Sequence, residues 1–254
     1  MEVEVDLGNR VALVTGASRG IGAATVRALG AAGASVALLA RDEERLELVA
    51  TELDTPTLVC AADVTDPDAC HNAVADTVDR FGALDILVNN AGLGGVEYQH
   101  FEDADPAAIA NVVDVNLTGA ITMTHAALPW IRERQGNVIF VGSSAAMRPR
   151  AGAAVYAASK WGLRGFALSL EAHAGADGVA VTSIHTSLVR TDRWADVPAG
   201  GAAEPEEIAR AVCYAAGQPG HTTVSELTLH RRDILGRFVP ADVDIEPSFA
   251  PPEQ

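Results

Sequence analysis

Tyr156 and Lys160 stand four residues apart in the stretch "YAASKWG" (156–162). On a helix that spacing puts both side chains on one face. A phenol with pKa near 10 is a poor base at neutral pH, but an adjacent ammonium favours its anion. Such a pair can donate or accept a proton at a carbonyl or hydroxyl oxygen. Of the chain's 18 lysines and arginines, 17 are arginine and Lys160 is the one lysine. Surface charge would be served by another arginine. A compact ammonium, unlike the wide guanidinium fork, can also donate to ribose hydroxyls.

A second chemical feature is the loop "TGASRGIG" (15–22), with Gly16, Gly20 and Gly22 and with Ser18, Arg19 and Ile21 between them. Glycines between a strand and a helix let the backbone approach a pyrophosphate that faces the helix N-terminus. The spacing is G-x-x-x-G-x-G and differs from the G-x-G-x-x-G dinucleotide fingerprint; a glycine-rich turn with no ligand is the alternative. The second apolar run ends "LLARDEERL", placing Arg41 where an acidic residue would grip a free ribose 2′-hydroxyl. Arg19 and Arg41 converging on a 2′-phosphate would prefer NADP(H) over NAD(H). Asp42 follows directly, and solvated surface charge is the competing reading.

These residues need a frame, and short apolar runs alternate with longer amphipathic stretches throughout the chain. Residues 11–15, 35–40, 57–61, 84–90, 136–143, 179–186 and 224–230 read as seven strands, mostly β-branched and apolar on both faces. Helices are expected near 20–32, 43–52, 66–80, 105–134, 153–174 and 204–217. Strand-helix alternation implies right-handed crossovers and an α/β, Rossmann-like, doubly wound parallel sheet with helices on both faces. No linker divides the pattern, so residues 1–233 read as a single domain and 234–254, rich in proline, as an irregular tail that a subunit interface could hold. With aromatics at 5% of residues, the core must be built from Ala, Val, Leu and Ile.

The glycine loop, "LVNNAG" (87–92), Asn116 in "VNLTG", Ser143 in "IFVGSS" and Tyr-x-x-x-Lys together resemble the short-chain dehydrogenase/reductase family over residues 8 to 230. In that family a serine stands thirteen residues before the tyrosine, which selects Ser143 over Ser144. The resemblance implies Tyr156 as general acid in carbonyl reduction, Lys160 favouring the phenolate and binding the nicotinamide ribose, and Ser143 donating to the substrate oxygen. Asn116, in a helix, is implied to hold a water linking Lys160 to solvent. Asp63, with Val64 beside it, would meet the adenine. Asn89, Ala91 and Gly92 would line the cofactor or, for Asn89 equally, support the central strands. Val189 and Thr191 would flank the nicotinamide.

One element departs from the family pattern. A Pro-Gly pair is expected after the sixth strand, and Thr186-Ser187 stands there, in "HTSLVRTD". Losing proline's fixed φ and glycine's freedom could reshape that loop. Residues 192–203 read as a flexible lid over a small pocket formed by Gly94, Ala145, Arg150, Leu188 and Trp194. Arg148 and Arg150 could bind a substrate carboxylate, or face solvent or a subunit interface.

A formal charge of −16 argues against a nucleic-acid or anionic-membrane partner. Cys60, Cys70 and Cys213 have no metal-ligand spacing and read as buried free thiols, and the seven histidines form no metal motif. The N-terminal stretch lacks a basic segment and an apolar segment, and a cytoplasmic location is expected. The function expected is an NADP(H)-dependent alcohol dehydrogenase or carbonyl reductase acting on the CH–OH or carbonyl of a small metabolite. The stretch "GHTTVSELTLHRRD" is similar to family members that handle small hydroxy acids or aldehydes. Reduction of a 3-oxoacyl carrier-protein or CoA thioester is one alternative, and a nucleotide-binding regulatory or scaffold protein is another. The resemblance further implies a homotetramer, or else a dimer, through the helices at about 105–134 and 153–174.

Overall fold

The computed structural model describes residues 5–94, 101–148, 152–191 and 201–230. Seven strands form one parallel sheet: β1 Val11–Thr15, β2 Ser35–Ala40, β3 Thr57–Ala61, β4 Ile86–Asn89, β5 Asn137–Val141, β6 Ala180–Thr186 and β7 Glu226–Leu229. Their order is β3-β2-β1-β4-β5-β6-β7. The helices between them are α1 Gly20–Ala31, α2 Glu43–Ala50, α3 Pro67–Phe81, α4 Pro106–Val113, α5 Gly119–Arg134, α6 Ala154–Ala174 and α7 Pro205–Ala216. All seven expected strands are present. The expected tail at 234–254 lies outside the described residues.

Parallel strands covered on both faces must be apolar on both faces, and alternate strand residues feed two cores. Val14, Leu38, Val88 and Ile139 pack under α1, α2 and α7. Leu13, Leu39, Leu87 and Phe140 pack under α3, α5 and α6. After β3 the chain crosses back past β1 to β4, so the winding reverses between β1 and β4. A crevice opens at the C-terminal ends of strands at such a reversal.

The single helix expected over 105–134 is broken. A π-helical turn, Asp114–Thr118, separates α4 from α5. Two contacts account for it. The Asn116 amide is held by the backbone of Leu93, and Gly119 lies so close to Val64 that a Cβ there would sit 2.9 Å from the Val64 carbonyl. A widened turn accommodates both, as π turns do where a helix meets a functional site.

At the other end of the sheet, Asp85 is 1% exposed. Its carboxylate accepts from the Val11 N–H at 2.9 Å and from Arg134 Nε at 3.0 Å, joining β1, the start of β4 and the end of α5. Asp85→Ala leaves a buried N–H without its acceptor and should cost about 2–4 kcal/mol of unfolding free energy. Urea unfolding of wild type and variant, at equal m-value, measures this.

Candidate active site

β1 delivers the glycine loop and β4 the "NNAG" turn, and a hydroxyl locks them together. Thr15 Oγ1 donates to the Val88 carbonyl and accepts from Asn90 N at 3.0 Å and Ala91 N at 2.9 Å. Asn90 Nδ2 returns two bonds, to the carbonyls of Thr15 at 2.8 Å and Gly16 at 3.2 Å. Gly16 and Gly20 have φ of 64° and 54°, the left-handed region that favours glycine. Gly22 is required for a different reason: a Cβ there would lie 2.1 Å from the Gly16 carbonyl oxygen.

The start of α1, like those of α5 and α6, has no side-chain cap, unlike the starts of the other helices. Asp42, Asp66 and Asp105 cap α2, α3 and α4 through their side chains, and Glu204 with Glu207 forms a capping box on α7. Arg19 at the start of α1 makes no side-chain cap, and the first turn carries no acidic residue. The first turn of α1 grows directly out of the glycine loop, and that arrangement fits a pyrophosphate. Ser18 and Ile21 are half-buried in the same loop. Thr191 meets it from the opposite side, its Cγ2 3.2 Å from where a Gly20 Cβ would be.

Around the second strand, Arg41 is exposed, with Nη1 3.6 Å from the Asp63 carboxylate. Burial opposes ionisation of Asp63, but bonds from the Thr65 N–H and hydroxyl, with Arg41 nearby, outweigh it and hold the carboxyl below its usual range. Asp42, which directly follows Arg41, is occupied by the α2 cap and by Arg45. The side chains of Val64 and Asn89 have partners within the fold. The Val64 side chain packs in the core near Gly119, and the Asn89 amide donates to Thr124 Oγ1 in α5 at 3.0 Å, tying strand to helix.

The four residues expected to act together converge at the ends of β4 and β5. Ser143 follows β5, and its Oγ accepts from the Ala145 N–H at 3.1 Å, which leaves its O–H to donate outward. Lys160, 6% exposed, donates from Nζ to the Val141 carbonyl at 3.1 Å and sits 5.9 Å from the centre of the Tyr156 ring. Gly92 leaves room beside it, since a Cβ there would be 3.6 Å from Nζ and 3.3 Å from Asn116 Oδ1. Asn116 lies in the π turn rather than in a regular helix. Its amide accepts from Leu93 N and donates to Leu93 O and Ser159 Oγ, and Ser159 in turn donates to the Tyr156 carbonyl. The side chain thus ties the β4 loop to the tyrosine-bearing helix.

Thr186, the first residue of the departure, is the last residue of β6. It stands opposite Leu229 in the pairing of β6 with β7, and Ser187 N, at the position where the family pattern has glycine, donates to the Leu229 carbonyl at 3.2 Å. Val189 is buried and bridges to Ala203. Gly94 and Leu188 are half-buried and Ala145 buried near this end of the sheet, and Arg148 is exposed. Arg150, Trp194 and most of the expected lid lie outside the described residues. Thr15, Asn90 and Ser159 are functional supports that sequence reasoning missed; "LVTG" and the second Asn of "NNAG" carried the signal.

The three cysteines are buried free thiols, and burial pushes each up to about 11, which disfavours the reactive thiolate. Among the described residues no cluster of His, Cys, Asp and Glu could hold a metal ion, and no helix is long and apolar enough to cross a membrane.

Residues 10–200 match the model of the short chain dehydrogenase family. The serine 3-dehydrogenase of Agrobacterium fabrum is 36% identical over 85% of this chain and 92% of its own. The 3-oxoacyl-acyl-carrier-protein reductase of Vibrio cholerae is 34% identical over 89% of this chain and 97% of its own. A metagenomic short-chain oxidoreductase solved in complex with NADP superposes with a TM-score of 0.78 at 34% identity, covering 88% of this chain and 97% of that one.

Thr15→Val keeps the shape of the side chain but strands the N–H groups of Asn90 and Ala91. It should cost about 1–3 kcal/mol of stability and weaken binding of a nicotinamide dinucleotide at least about tenfold. Thermal melts and fluorescence titration read the two effects separately.

Proposed function

The chain belongs to the short-chain dehydrogenase family and is an oxidoreductase, and we propose that it moves a hydride between NADP(H) and the carbonyl or alcohol carbon of a small metabolite. The observation that carries this is the convergence of Ser143, Tyr156 and Lys160 at the strand ends beside the glycine loop. When bound, the nicotinamide supplies or accepts the hydride. In the direction of reduction, Tyr156 gives its phenolic proton to the carbonyl oxygen. Ser143 donates a hydrogen bond to that oxygen as negative charge develops on it. The Lys160 ammonium stabilises the phenolate left behind, and Asn116, by gripping Leu93 and Ser159, keeps the Tyr156 turn of α6 at the correct height. Oxidation runs the same steps in reverse.

Arg41 supports NADP(H) over NAD(H), because Asp42 is engaged by its own helix and Arg45 while Arg41 stays exposed beside Asp63. The serine 3-dehydrogenase relative supports a small polar alcohol or carbonyl as substrate. The 3-oxoacyl reductase relative favours a second reading, reduction of an acyl thioester. Acyl carriers are acidic, and a chain with net charge −16 would repel one. A regulatory or scaffold role would predict loss of the tyrosine or the lysine, and both are present. Exposed Ile121 and Trp130 on α5 and Trp161 and Leu168 on α6 support association of copies through these helices, as a tetramer or a dimer.

Two measurements test this reading. Tyr156→Phe should lower kcat by at least about a thousandfold while NADPH affinity stays within about threefold; wild-type turnover by the variant would reject it. Arg41→Ala should lower the NADPH-over-NADH preference about tenfold, read as the ratio of dissociation constants.

A further inference from the structure

α6 carries a second basic residue on the stripe of Tyr156 and Lys160. Arg164 stands one turn beyond the lysine and pairs with Glu226 at the start of β7 through two bonds, Nε to Oε1 at 2.7 Å and Nη2 to Oε2 at 2.9 Å. Glu226 Oε1 also meets His185 Nε2 of β6 at 2.8 Å. Since a carboxylate only accepts, Nε2 carries a proton and is the donor to Glu226. His185 is 1% exposed, and its Nδ1 has no hydrogen-bond partner. That edge of the ring faces Gly142 with no room for a side chain between them: a Cβ on Gly142 would lie 2.7 Å from Nδ1 and 3.2 Å from Cε1. Gly142 immediately precedes Ser143, and its N–H donates to the Ile184 carbonyl.

We infer that Arg164, Glu226 and His185 are positioning residues that press an imidazole ring against Gly142 and so fix where Ser143 stands relative to Tyr156. This role rests on the proposed chemistry of Ser143 and Tyr156. The helix bearing the tyrosine and lysine is tied by Lys160 to Val141, ahead of Gly142, and by Arg164 through Glu226 and His185 to Gly142 itself. Two consecutive residues before the serine are thereby gauged against the same helix. The Arg164 guanidinium, helped by His185 and opposed by burial, holds the Glu226 carboxyl down at about 2, so the link stays charged across any ordinary assay pH. An orphaned buried nitrogen carries a desolvation penalty that an apolar side chain would avoid, which points to a use for the ring at this place.

The test uses the full-length protein and the fastest substrate from a panel of L-serine, aldehydes, ketones and 3-oxoacyl thioesters, with rates expressed per NADPH-binding site. His185→Ala should lower kcat on the order of 10- to 100-fold with KM and NADPH affinity within about threefold, the loss expected for a misplacement near 1 Å. His185→Gln, which keeps a donor at the Nε2 position for Glu226, should recover part of that loss. Gly142→Ala should slow wild type but cost little further in the His185→Ala background, because the clash has gone. Crystal structures of wild type and His185→Ala read the position of Ser143 Oγ directly, whatever the substrate.

Several results would overturn the assignment: kcat per site within twofold of wild type, an unmoved Ser143, or additive losses at positions 142 and 185. A loss that only tracks the number of NADPH-binding sites would also overturn it, as the mark of a purely structural role. Tyr156→Phe run alongside separates the two levels. If that variant turns over normally, the proposed function fails; if it is inactive and His185→Ala is not, only the positioning role fails.

Discussion

A buried ammonium must be surrounded by oxygen, because the desolvated charge is otherwise prohibitive. Lys160 meets that demand at the Val141 carbonyl, where β5 ends and α6 passes over it. Much of the local architecture follows. Gly92 leaves space beside Nζ, Asn116 turns its amide away to Leu93 and Ser159, and the helix before it opens into a π turn. The result is a buried ammonium held 5.9 Å from the centre of the Tyr156 ring.

The other half of the site obeys a different constraint, the need to bring backbone N–H groups to an anion. Aspartates satisfy the starts of α2, α3 and α4, and α1 is left to the glycine loop. Thr15 and Asn90 spend their hydrogen bonds on main-chain atoms at the reversal between β1 and β4. They hold the loop in place without occupying it. Thr191, beyond β6, approaches Gly20 and so sets the loop after β6 against the glycine loop.

Strands and helices were legible because both faces of a covered parallel sheet are apolar, and runs such as "VALVT" and "SVALLA" have few other uses. The tyrosine-lysine pair was legible from helical spacing and from the rarity of lysine. The π turn was not, since it depends on an amide reaching a backbone 23 residues away. Thr15 and Asn90 were missed for the same reason: their partners are carbonyls and N–H groups, which leave no trace in side-chain pattern. His185 was screened only for metal spacing. Its partner Glu226 lies 41 residues later, and parallel pairing of β6 with β7 is what brings them together.

The central claim is that this chain, which uses arginine at every other basic position, needs an ammonium at 160. Lys160→Arg keeps the charge and changes only its shape and reach, so it isolates that claim. Turnover per NADPH-binding site should fall at least about a hundredfold, with the fold intact by circular dichroism and thermal melting. Retention of turnover within a few-fold of wild type would contradict the account, because any cation would then serve beneath Tyr156.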